Sequence, residues 1–529
     1  MAANTADIVA REQIATQARA KVEQIVNQII HLVCSKEGEQ SPCELENTLF
    51  QSVLQIGRLA LEAHLALQAT EHRHQSALHQ SGVPLPYHGE RRAPYQTIFG
   101  IVHLRRSYYC GNGLGHYEMD AALNLPPVGP SDFLRILLER LALSMSYEEA
   151  SQIMADYFPV SRSTRSLQEM ITVDSEDARD FYAQAPTVAI ASEESILVVQ
   201  GDGKGVPIIK EISLAKEGTT AEGCINKTTE PSKVSLPGKK KGEPKREGKK
   251  KMSTVVAVAT YSPLTRTPCQ IVESLFDQKS YTPAPTGHSF KRVWATIHGK
   301  EAAIAQSQTF VAQIADAPIK HRVLLTDGEV ALKKQLCAAY PGFTHVLDLL
   351  HALSYLWIAA DAKFGAHTQA ATIWTRHATL RLLQGDASGV VEELYLWAEQ
   401  TPISAKLTAI EKAAWYLDGN LSSMRYDKYL SKGWPIATGM VEGACRHVVK
   451  DRCERSGQRW THNGVEGMLR LRCVEENGDW QAYHAYRMRR RQERIYGRTP
   501  QPPTKETQGI LSSPDVYQFK TEIPFAEAV

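Results

Sequence analysis

Two short apolar runs in this sequence each lead into an aspartate beside a glycine. Residues 196–199 precede Gly201-Asp202-Gly203-Lys204-Gly205, and residues 323–325 precede Thr326-Asp327-Gly328-Glu329. Short aliphatic runs bounded by glycine are typical of buried strands. Because strands that end at one edge of a sheet bring their side chains together, we expect both carboxylates to approach a shared divalent cation. The pattern predicts a mixed α/β core.

A third acid, Glu442, lies in Gly439-Met440-Val441-Glu442-Gly443 and opens a cationic stretch. Arg446 and Lys450 follow at intervals of four residues, so a regular helix places all three residues on one face. One interpretation is an exposed ion pair of little energetic consequence. The dense cations that continue to Arg455 favour the other, a metal-binding glutamate whose neighbours hold phosphate.

Each acid taken singly also fits a purely structural role. Asp202 and Asp327 are compatible with ordinary turns, and the glycines around Asp202 match neither of the G-x-G-x-x-G and G-x-x-x-x-G-K-[ST] phosphate loops. Asp348 and His351 follow a further strand-like run at the spacing of one helical turn. For this pair, a role in the site and a simple helix cap both stay open. The joint placement of the acids is what favours a single site.

Positive charge is concentrated in two blocks, although the formal net charge is only +2. Residues 233–251 contain nine Lys and Arg against two Glu, and residues 487–498 contain six Arg against one Glu. Such blocks are usually solvated loops or tails, and phosphate contact is their commonest function. The distribution favours a nucleic-acid partner.

The cysteine pattern and the hydropathy exclude several classes of protein. The nine cysteines include no Cys-x-x-Cys pair, which is typical of reduced thiols and not of disulfides or a zinc site. The first residues lack a basic end followed by an apolar core, and no apolar run approaches the roughly 18 residues of a membrane span. We expect a soluble, cytoplasmic protein with no membrane partner.

The N-terminal part divides into a helical region and a small β region. Apolar residues recur at helical spacing in residues 1–85, which predicts helices that pack on each other or on a second subunit. In the β region, residues 86–128, one strand is expected through residues 97–109 with a bend or bulge at Gly100. Phosphate binding and simple strand packing stay open for its four arginines, Arg91, Arg92, Arg105 and Arg106.

Residues 129–190 are predicted to be helical and to resemble a helix-turn-helix. Ser146 and Glu149 fit a capping box at the start of one helix. Ser161 is expected to begin the next helix, with Arg162 and Arg165 near its N-terminus. This arrangement suits DNA contact, although many helical pairs look alike.

The rest of the chain is predicted to be an α/β core with a helical interruption. Strands are expected at residues 196–200, 253–260, 321–326 and 343–347, and a helix at residues 301–314, within a first core part that spans residues 191–351. The basic block 233–251 is then a long loop between the first two strands. An all-helical insertion is expected at residues 352–435, final core helices at 436–486, and a basic, then disordered tail at 487–529.

Several motifs together resemble one known family, the ISKra bacterial insertion-sequence transposases, in the Mutator-like branch of the DDE transposases. The similarity extends over roughly residues 97–486. The motifs that carry it are Asp202 in Gly-Asp-Gly-Lys-Gly, Asp327-Gly328, Asp348-x-x-His351, Thr438-Gly439-Met440-Val441-Glu442-Gly443-Ala444-Cys445-Arg446-His447, Lys450-Asp451-Arg452, Gly464-Val465-Glu466-Gly467-Met468-Leu469-Arg470-Leu471-Arg472 and Asn477-Gly478-Asp479-Trp480.

The resemblance implies an RNase H-like catalytic core with a helical insertion before the final acidic helix. It also implies that Asp202, Asp327 and Glu442 bind Mg²⁺, with Mn²⁺ able to substitute, and that Asp348 and His351 are an accessory pair. The implied partner is double-stranded DNA, bound by a homodimer or higher oligomer. The residues expected to contact DNA are Lys204, Arg446, His447, Lys450, Arg452, Arg455, Lys239, Lys240, Lys241, Lys249, Lys250, Lys251, Arg162 and Arg165.

The expected function is that of a DNA transposase, which cleaves strands at insertion-sequence ends and transfers them into target DNA. Two alternatives have different consequences. A transposase-derived regulator binds DNA without chemistry, and an RNase H-like nuclease hydrolyses strands without joining them. Metal-dependent cleavage separates the first alternative from the enzyme, and strand transfer separates the second.

Overall fold

The computed structural model describes residues 5–34, 41–184, 190, 195–209, 250–277, 290–314, 319–402, 404–455 and 457–498, with side chains from residue 8 onward. It divides into two units. The first comprises residues 1–138, 152–161 and 484–529, and the second comprises residues 139–151 and 162–483.

The described elements alternate between helical segments and two sheets. The strands are β1 Ser76–Leu78, β2 Pro84–Thr97, β3 Gly100–Gly111, β4 Leu114–Tyr117, β5 Ile196–Pro207, β6 Lys250–Tyr261, β7 Lys291–Thr296, β8 His321–Thr326 and β9 Thr344–Leu347. The α-helices are α1 Thr5–Cys34, α2 Pro42–Glu71, α3 Glu118–Leu123, α4 Asp132–Ser144, α5 Tyr147–Tyr157, α6 Thr164–Asp174, α7 Ala178–Gln184, α8 Pro268–Phe276, α9 Lys300–Gln313, α10 Val330–Ala339, α11 Leu349–Phe364, α12 Gln369–Leu383, α13 Ala387–Gln400, α14 Ala405–Asp418, α15 Tyr426–Ser431, α16 Gly439–Ala444, α17 Asp451–Cys453, α18 His462–Glu476 and α19 Trp480–Tyr496.

The first unit begins with two long helices, α1 and α2, which pack against each other as their apolar spacing predicts. Ile25 on α1 and Leu54 and Leu65 on α2 are buried. The predicted boundary of this helical region at residue 85 is wrong, because β1 and the start of β2 lie before it.

A four-stranded antiparallel sheet follows, in the order β1-β2-β3-β4. Thr97 pairs with Gly100 across a two-residue turn, so residues 97–109 are not one bent strand as expected. Instead, Gly100 begins the second strand of a hairpin with a φ of +97°, a left-handed value that glycine adopts without strain.

The second unit is built on a five-stranded sheet in the order β7-β6-β5-β8-β9. β7, β6 and β5 pair antiparallel, whereas β5, β8 and β9 pair parallel. Alternate residues of β5 enter two separate cores, with Ile196 and Val198 in one and Leu197 and Val199 in the other. A strand that is buried on both faces explains the continuous apolar run in the sequence, and the mixed α/β core is confirmed.

The edge strand β7 was not predicted. Asn477 covers its open edge, since the backbone N–H of Val293 donates to Asn477 Oδ1 at 2.7 Å and Asn477 Nδ2 donates to the Val293 carbonyl at 3.1 Å. These contacts satisfy backbone groups that an edge strand otherwise leaves unpaired.

The chain between β9 and α16 is helical, as predicted, and comprises α11 to α15 with a 3₁₀ turn at Leu421–Ser423. These helices bury Leu356, Leu382 and Leu417 against the sheet face that contains Ile196. The insertion therefore shares a hydrophobic core with the strands.

Residues 487–496 are helical because they belong to α19, so the expectation of a basic tail from residue 487 is wrong for this part. Arg491 lies in a forked ion pair with Asp132, at 2.7 Å to each carboxylate oxygen. Arg498 contacts Glu118. None of the helices in the described ranges combines the length and the apolar character that crossing a membrane requires.

Candidate functional site

Strand register places three aspartates side by side, at the level where the parallel strands β8 and β9 end. Gly201 of β5 pairs with Thr326 of β8, and Thr326 pairs with Leu347 of β9. The next residue on each strand is an aspartate: Asp202, Asp327 and Asp348. Adjacent strands lie about 4.8 Å apart, so the register alone brings these three residues together.

Asp202 does not lie at a strand end, contrary to the sequence expectation. β5 continues to Pro207 because it keeps pairing with β6, and Asp202 lies opposite Val255. Burial raises the pKa of the Asp202 carboxyl, and the charge of Asp327 raises it further, while hydrogen bonds from the Gly203 amide and the Cys445 thiol lower it. Crowding with a second carboxylate thus disfavours the ionised form unless a cation is present.

Asp327 directly follows β8, as predicted. Its Oδ1 accepts from the Glu329 amide at 2.9 Å, and its carbonyl accepts from the Tyr416 hydroxyl at 2.5 Å. Gly328 has a φ of +83°, and a Cβ there would lie 2.8 Å from Leu347 Cδ1. The glycine of the Asp-Gly motif is therefore required by a left-handed backbone in a closely packed turn.

Of the two roles that the sequence left open for Asp348, the structure confirms the helix cap, and the residue also contacts His351. It is the N-cap of α11, with Oδ1 accepting from the Leu350 amide at 3.0 Å. Its Oδ2 lies 2.9 Å from His351 Nδ1, and this hydrogen bond raises the pKa of the half-exposed His351 imidazole. Asp348 itself is fully buried. The aspartate both ends the strand and orients the histidine.

Glu442 lies on the short helix α16, whose position three hydrogen-bond contacts fix. Gln200, buried on β5, accepts from the Val441 amide at 3.0 Å. The Thr438 hydroxyl lies 2.8 Å from Glu442 Oε1 and 2.6 Å from Asp348 Oδ2. These contacts connect the third acid to the central strand and to the neighbouring aspartate.

The tightest group of possible metal ligands in the described chain is Asp348, His351 and Glu442, with ligand atoms within 4.8 Å of one another. Asp202 and Asp327 lie at the same edge, and both interact electrostatically with His351. The structure thus groups Asp348, His351 and Glu442, with Asp202 and Asp327 near His351. Glu442 lies with the accessory pair, outside a closed triad with Asp202 and Asp327.

In the part of the chain that the structure describes, no lysine or arginine forms an ion pair with Asp202, Asp327 or Glu442. Uncompensated carboxylates that face one edge carry a cost that a bound cation offsets. Their oxygens are the hard ligands that Mg²⁺ and Mn²⁺ prefer, and the His351 nitrogen suits Mn²⁺ better than Mg²⁺. These residues fit a divalent cation.

The helix after Glu442 is not regular. A π-helical turn spans Cys445–Lys450, between α16 and α17. The four-residue spacing that was expected to align Glu442, Arg446 and Lys450 assumed a continuous α-helix, so that argument for a shared face is wrong. Arg446 instead lies 3.9 Å from Asp451. Single π-helical turns often occur at functional sites.

Arg452 was expected to contact DNA, and the structure contradicts this because the side chain is only 1% exposed. Its Nε donates to the Ala142 carbonyl and a terminal nitrogen donates to Gln458 Oε1, both at 2.7 Å. The guanidinium also lies over the rings of Tyr147 and Trp460, 5.1 and 4.8 Å from their centroids. Arg452 is a core residue that links three segments of the second unit.

The other predicted DNA contacts are distributed between exposed and ion-paired positions. Lys204 and Lys250 both lie beside Glu454, at 3.8 and 3.1 Å, and Arg455 lies 2.8 Å from Glu149. The predicted contacts that are exposed are Arg165, Lys250, Lys251, Arg446, His447, Lys450 and Arg455. Those that lie outside the described residues are Lys239, Lys240, Lys241 and Lys249.

The predicted third helix of the helix-turn-helix begins later than expected. Ser163, and not Ser161, is the N-cap of α6, so Arg162 precedes the helix and Arg165 lies in its first turn. Arg165 is exposed and pairs with Glu169 at 2.8 Å. The opposite side of α6 packs against α18. The Ser146–Glu149 capping box is confirmed by both reciprocal hydrogen bonds.

Four residues that support the acids were not identified from the sequence. They are Gln200, Thr438, Cys445 and Tyr416. Thr438 and Cys445 flank Glu442 within its motif, which was a usable signal. Gln200 and Tyr416 contact residues 241 and 89 positions away, so no local pattern reveals them.

Comparisons with known proteins do not assign this chain to a family. No family model matches the chain, and no curated protein aligns with it significantly.

Proposed function

We propose that this protein is a DDE-type DNA transposase, which cleaves DNA strands at insertion-sequence ends and joins them to target DNA. The observation that supports it is that Asp202, Asp327 and Asp348 lie side by side in register, next to the ligand group that Asp348 forms with His351 and Glu442. These residues come from three strands and from helices α11 and α16, and the exposed Arg446 follows Glu442 by four residues. Phosphodiester chemistry requires both features.

Asp202, Asp327 and Glu442 would hold the divalent cations, Mg²⁺ or Mn²⁺. Bound there, two such ions activate the attacking oxygen and stabilise the leaving oxygen of an in-line displacement. The protein's own part is positional. Thr438 and Gln200 fix the orientation of Glu442, and the turn at Gly328 fixes Asp327.

The Asp348–His351 pair is suited to proton transfer or to binding a negative group beside the acids. When His351 does not ligate a cation, the hydrogen bond to Asp348 favours the protonated imidazole, which then presents a positive charge near the carboxylates. A cation and a protonated histidine at one edge would together hold a phosphate group.

The proposal extends to the fold and the assembly. We assign the second unit to an RNase H-like core, which is supported by the mixed five-stranded sheet, the helical insertion after β9 and the acidic helix α16 that follows it. We also expect a homodimer or larger assembly on double-stranded DNA, because transposition must hold two element ends at once.

The test uses purified full-length protein and duplexes from the DNA that flanks the reading frame, with Mg²⁺. Wild type should nick or cut duplexes that carry an element end. Asp202→Asn and Glu442→Gln should each lower the cleavage rate by about 100-fold or more, the equivalent of several kcal/mol of transition-state stabilisation. Glu399→Gln, at an exposed position on α13, removes the same charge elsewhere and should cleave normally.

Two results would oppose the proposal in different ways. If Asp202→Asn cleaved DNA at the wild-type rate, the acids would have no role in the chemistry. Pre-cut ends supplied with target plasmid should yield joined products, whereas hydrolysis without joining would identify a nuclease. DNA binding with no cleavage under Mg²⁺ or Mn²⁺ would identify a regulator.

A further inference from the structure

The β2–β3 ribbon of the first unit divides its four arginines between two faces. Register places Arg91 opposite Arg106 and Arg92 opposite Arg105. Directly opposed residues of an antiparallel pair share a face, and successive residues alternate between faces. The Arg91–Arg106 pair and the Arg92–Arg105 pair therefore point to opposite sides of the ribbon.

The Arg91–Arg106 face is occupied by contacts within the protein. Arg106 is ion-paired with the buried Asp120, and its guanidinium lies 4.2 Å from the centroid of the Tyr117 ring. Arg91 lies over Tyr108 at 5.6 Å. These two arginines have the packing role that the sequence left open for all four.

The Arg92–Arg105 face is different. Both residues are exposed, and neither has an ion-pair partner among the described residues. His103, also exposed, lies two residues from Arg105 on the same face. The acid on this face, Glu90, lies 3.7 Å from Arg73. Two like charges directly opposite each other destabilise a strand pair, so this face retains repulsion that the protein does not relieve.

We propose that the Arg92–Arg105 face binds the phosphate backbone of duplex DNA. An anion between the two guanidinium groups relieves their repulsion, and arginine forks match phosphate oxygens in two-point contacts. A two-stranded antiparallel ribbon also has dimensions that fit along a DNA groove. The choice of DNA as the polyanion rests on the proposed function. The inference adds a contact surface in the first unit, which contains none of the site acids Asp202, Asp327 and Glu442.

The experiment measures binding of full-length protein to a fluorescent duplex by anisotropy, in EDTA, over a range of salt concentrations. Arg92→Ala/Arg105→Ala should weaken binding at 0.1 M salt by roughly tenfold or more. The slope of log affinity against log salt should become shallower by about 1.8, as expected for two lost phosphate contacts. Arg92→Lys/Arg105→Lys retains the charge and should keep the slope while it loses affinity.

The matched control is Arg19→Ala/Lys21→Ala, which removes two exposed charges from α1 of the same unit. It should leave the slope unchanged. The Arg92→Ala/Arg105→Ala variant should melt at or above the wild-type temperature, because it removes a repulsive pair.

Separate outcomes identify separate failures. The slope of log affinity against log salt could be the same for Arg92→Ala/Arg105→Ala as for the wild type. If the wild type also cleaves DNA, that result would overturn this inference and leave the proposed function standing. An equal loss of binding to heparin and to DNA would overturn the assignment to duplex. Wild-type protein that binds no duplex at low salt would overturn both proposals.

Discussion

Replacement of Arg452 by alanine should destabilise the second unit without affecting DNA binding. The side chain makes two charged hydrogen bonds, to the Ala142 carbonyl and to Gln458, and lies over two aromatic rings. Hydrogen bonds of this kind contribute about 1.5–3 kcal/mol each, and each ring contact about 1 kcal/mol. The sum is about 5–8 kcal/mol.

The cost of burying the guanidinium offsets part of that sum. Burial lowers the pKa of Arg452, which shows that the charged form is poorly solvated there. Removal of the group recovers several kcal/mol of desolvation but leaves the Ala142 carbonyl and the Gln458 amide without a partner. The net loss in the free energy of unfolding should be about 3 kcal/mol.

Thermal denaturation followed by circular dichroism measures this loss. A change of 3 kcal/mol should lower the apparent melting temperature by about 6 °C. Arg446→Ala, at a position 71% exposed, serves as the control and should melt with the wild type. Arg452→Ala should also keep the wild-type salt dependence of DNA binding. If Arg452→Ala melted at the wild-type temperature and showed a shallower salt dependence of DNA binding, the structural role of Arg452 would be refuted. A direct contact between Arg452 and DNA would then be supported.

Two further predictions concern the surroundings of the acids. Thr438→Val removes the hydroxyl between Asp348 and Glu442 and should lower Mg²⁺-dependent cleavage by roughly tenfold, whereas Thr438→Ser should retain activity; equal rates for the two variants would show that the hydroxyl has no positioning role. Burial lowers the pKa of His345, next to Thr326 in the core, to about 4. The unfolded chain therefore binds the proton first, and stability should fall as the pH drops from 6.5 towards 4. Urea midpoints at pH 7.5 and 5 measure this fall, which His345→Gln should reduce; the same pH dependence in the variant would contradict the assignment.

The strands of the core were predictable where their sequences are aliphatic. The runs before Asp202 and Asp327 are buried on both faces, which leaves a continuous apolar signal. β7 was missed because it is short and begins with Lys291 and Arg292, so its sequence looks like a loop. β7 pairs with β6 on one side, and the side chain of Asn477, 184 residues away, pairs with its other edge.

Asp202 and Asp327 were predictable because each follows a buried aliphatic run, but the arrangement of the acids was not. The side-by-side row of Asp202, Asp327 and Asp348 depends on the register between strands, and no single segment contains that information. Likewise, the position of Glu442 depends on Gln200, which contacts its helix from a distant strand. Sequence reasoning therefore selected acids that the fold places near one another and could not determine which of them lie closest together.

Positive charge was the least reliable guide to function, for a physical reason. Arginine has a long apolar stem and five donors, so it can cross-link carbonyls and rings inside a fold as readily as it binds phosphate. Arg452, Arg491 and Arg106 are used internally, and each had been counted in a cationic stretch or pair. What separates Arg92 and Arg105 from these is the absence of an acid, carbonyl or ring partner among the described residues. Charge that the fold leaves uncompensated, and not charge itself, is therefore the basis on which we propose the Arg92–Arg105 face as a DNA contact.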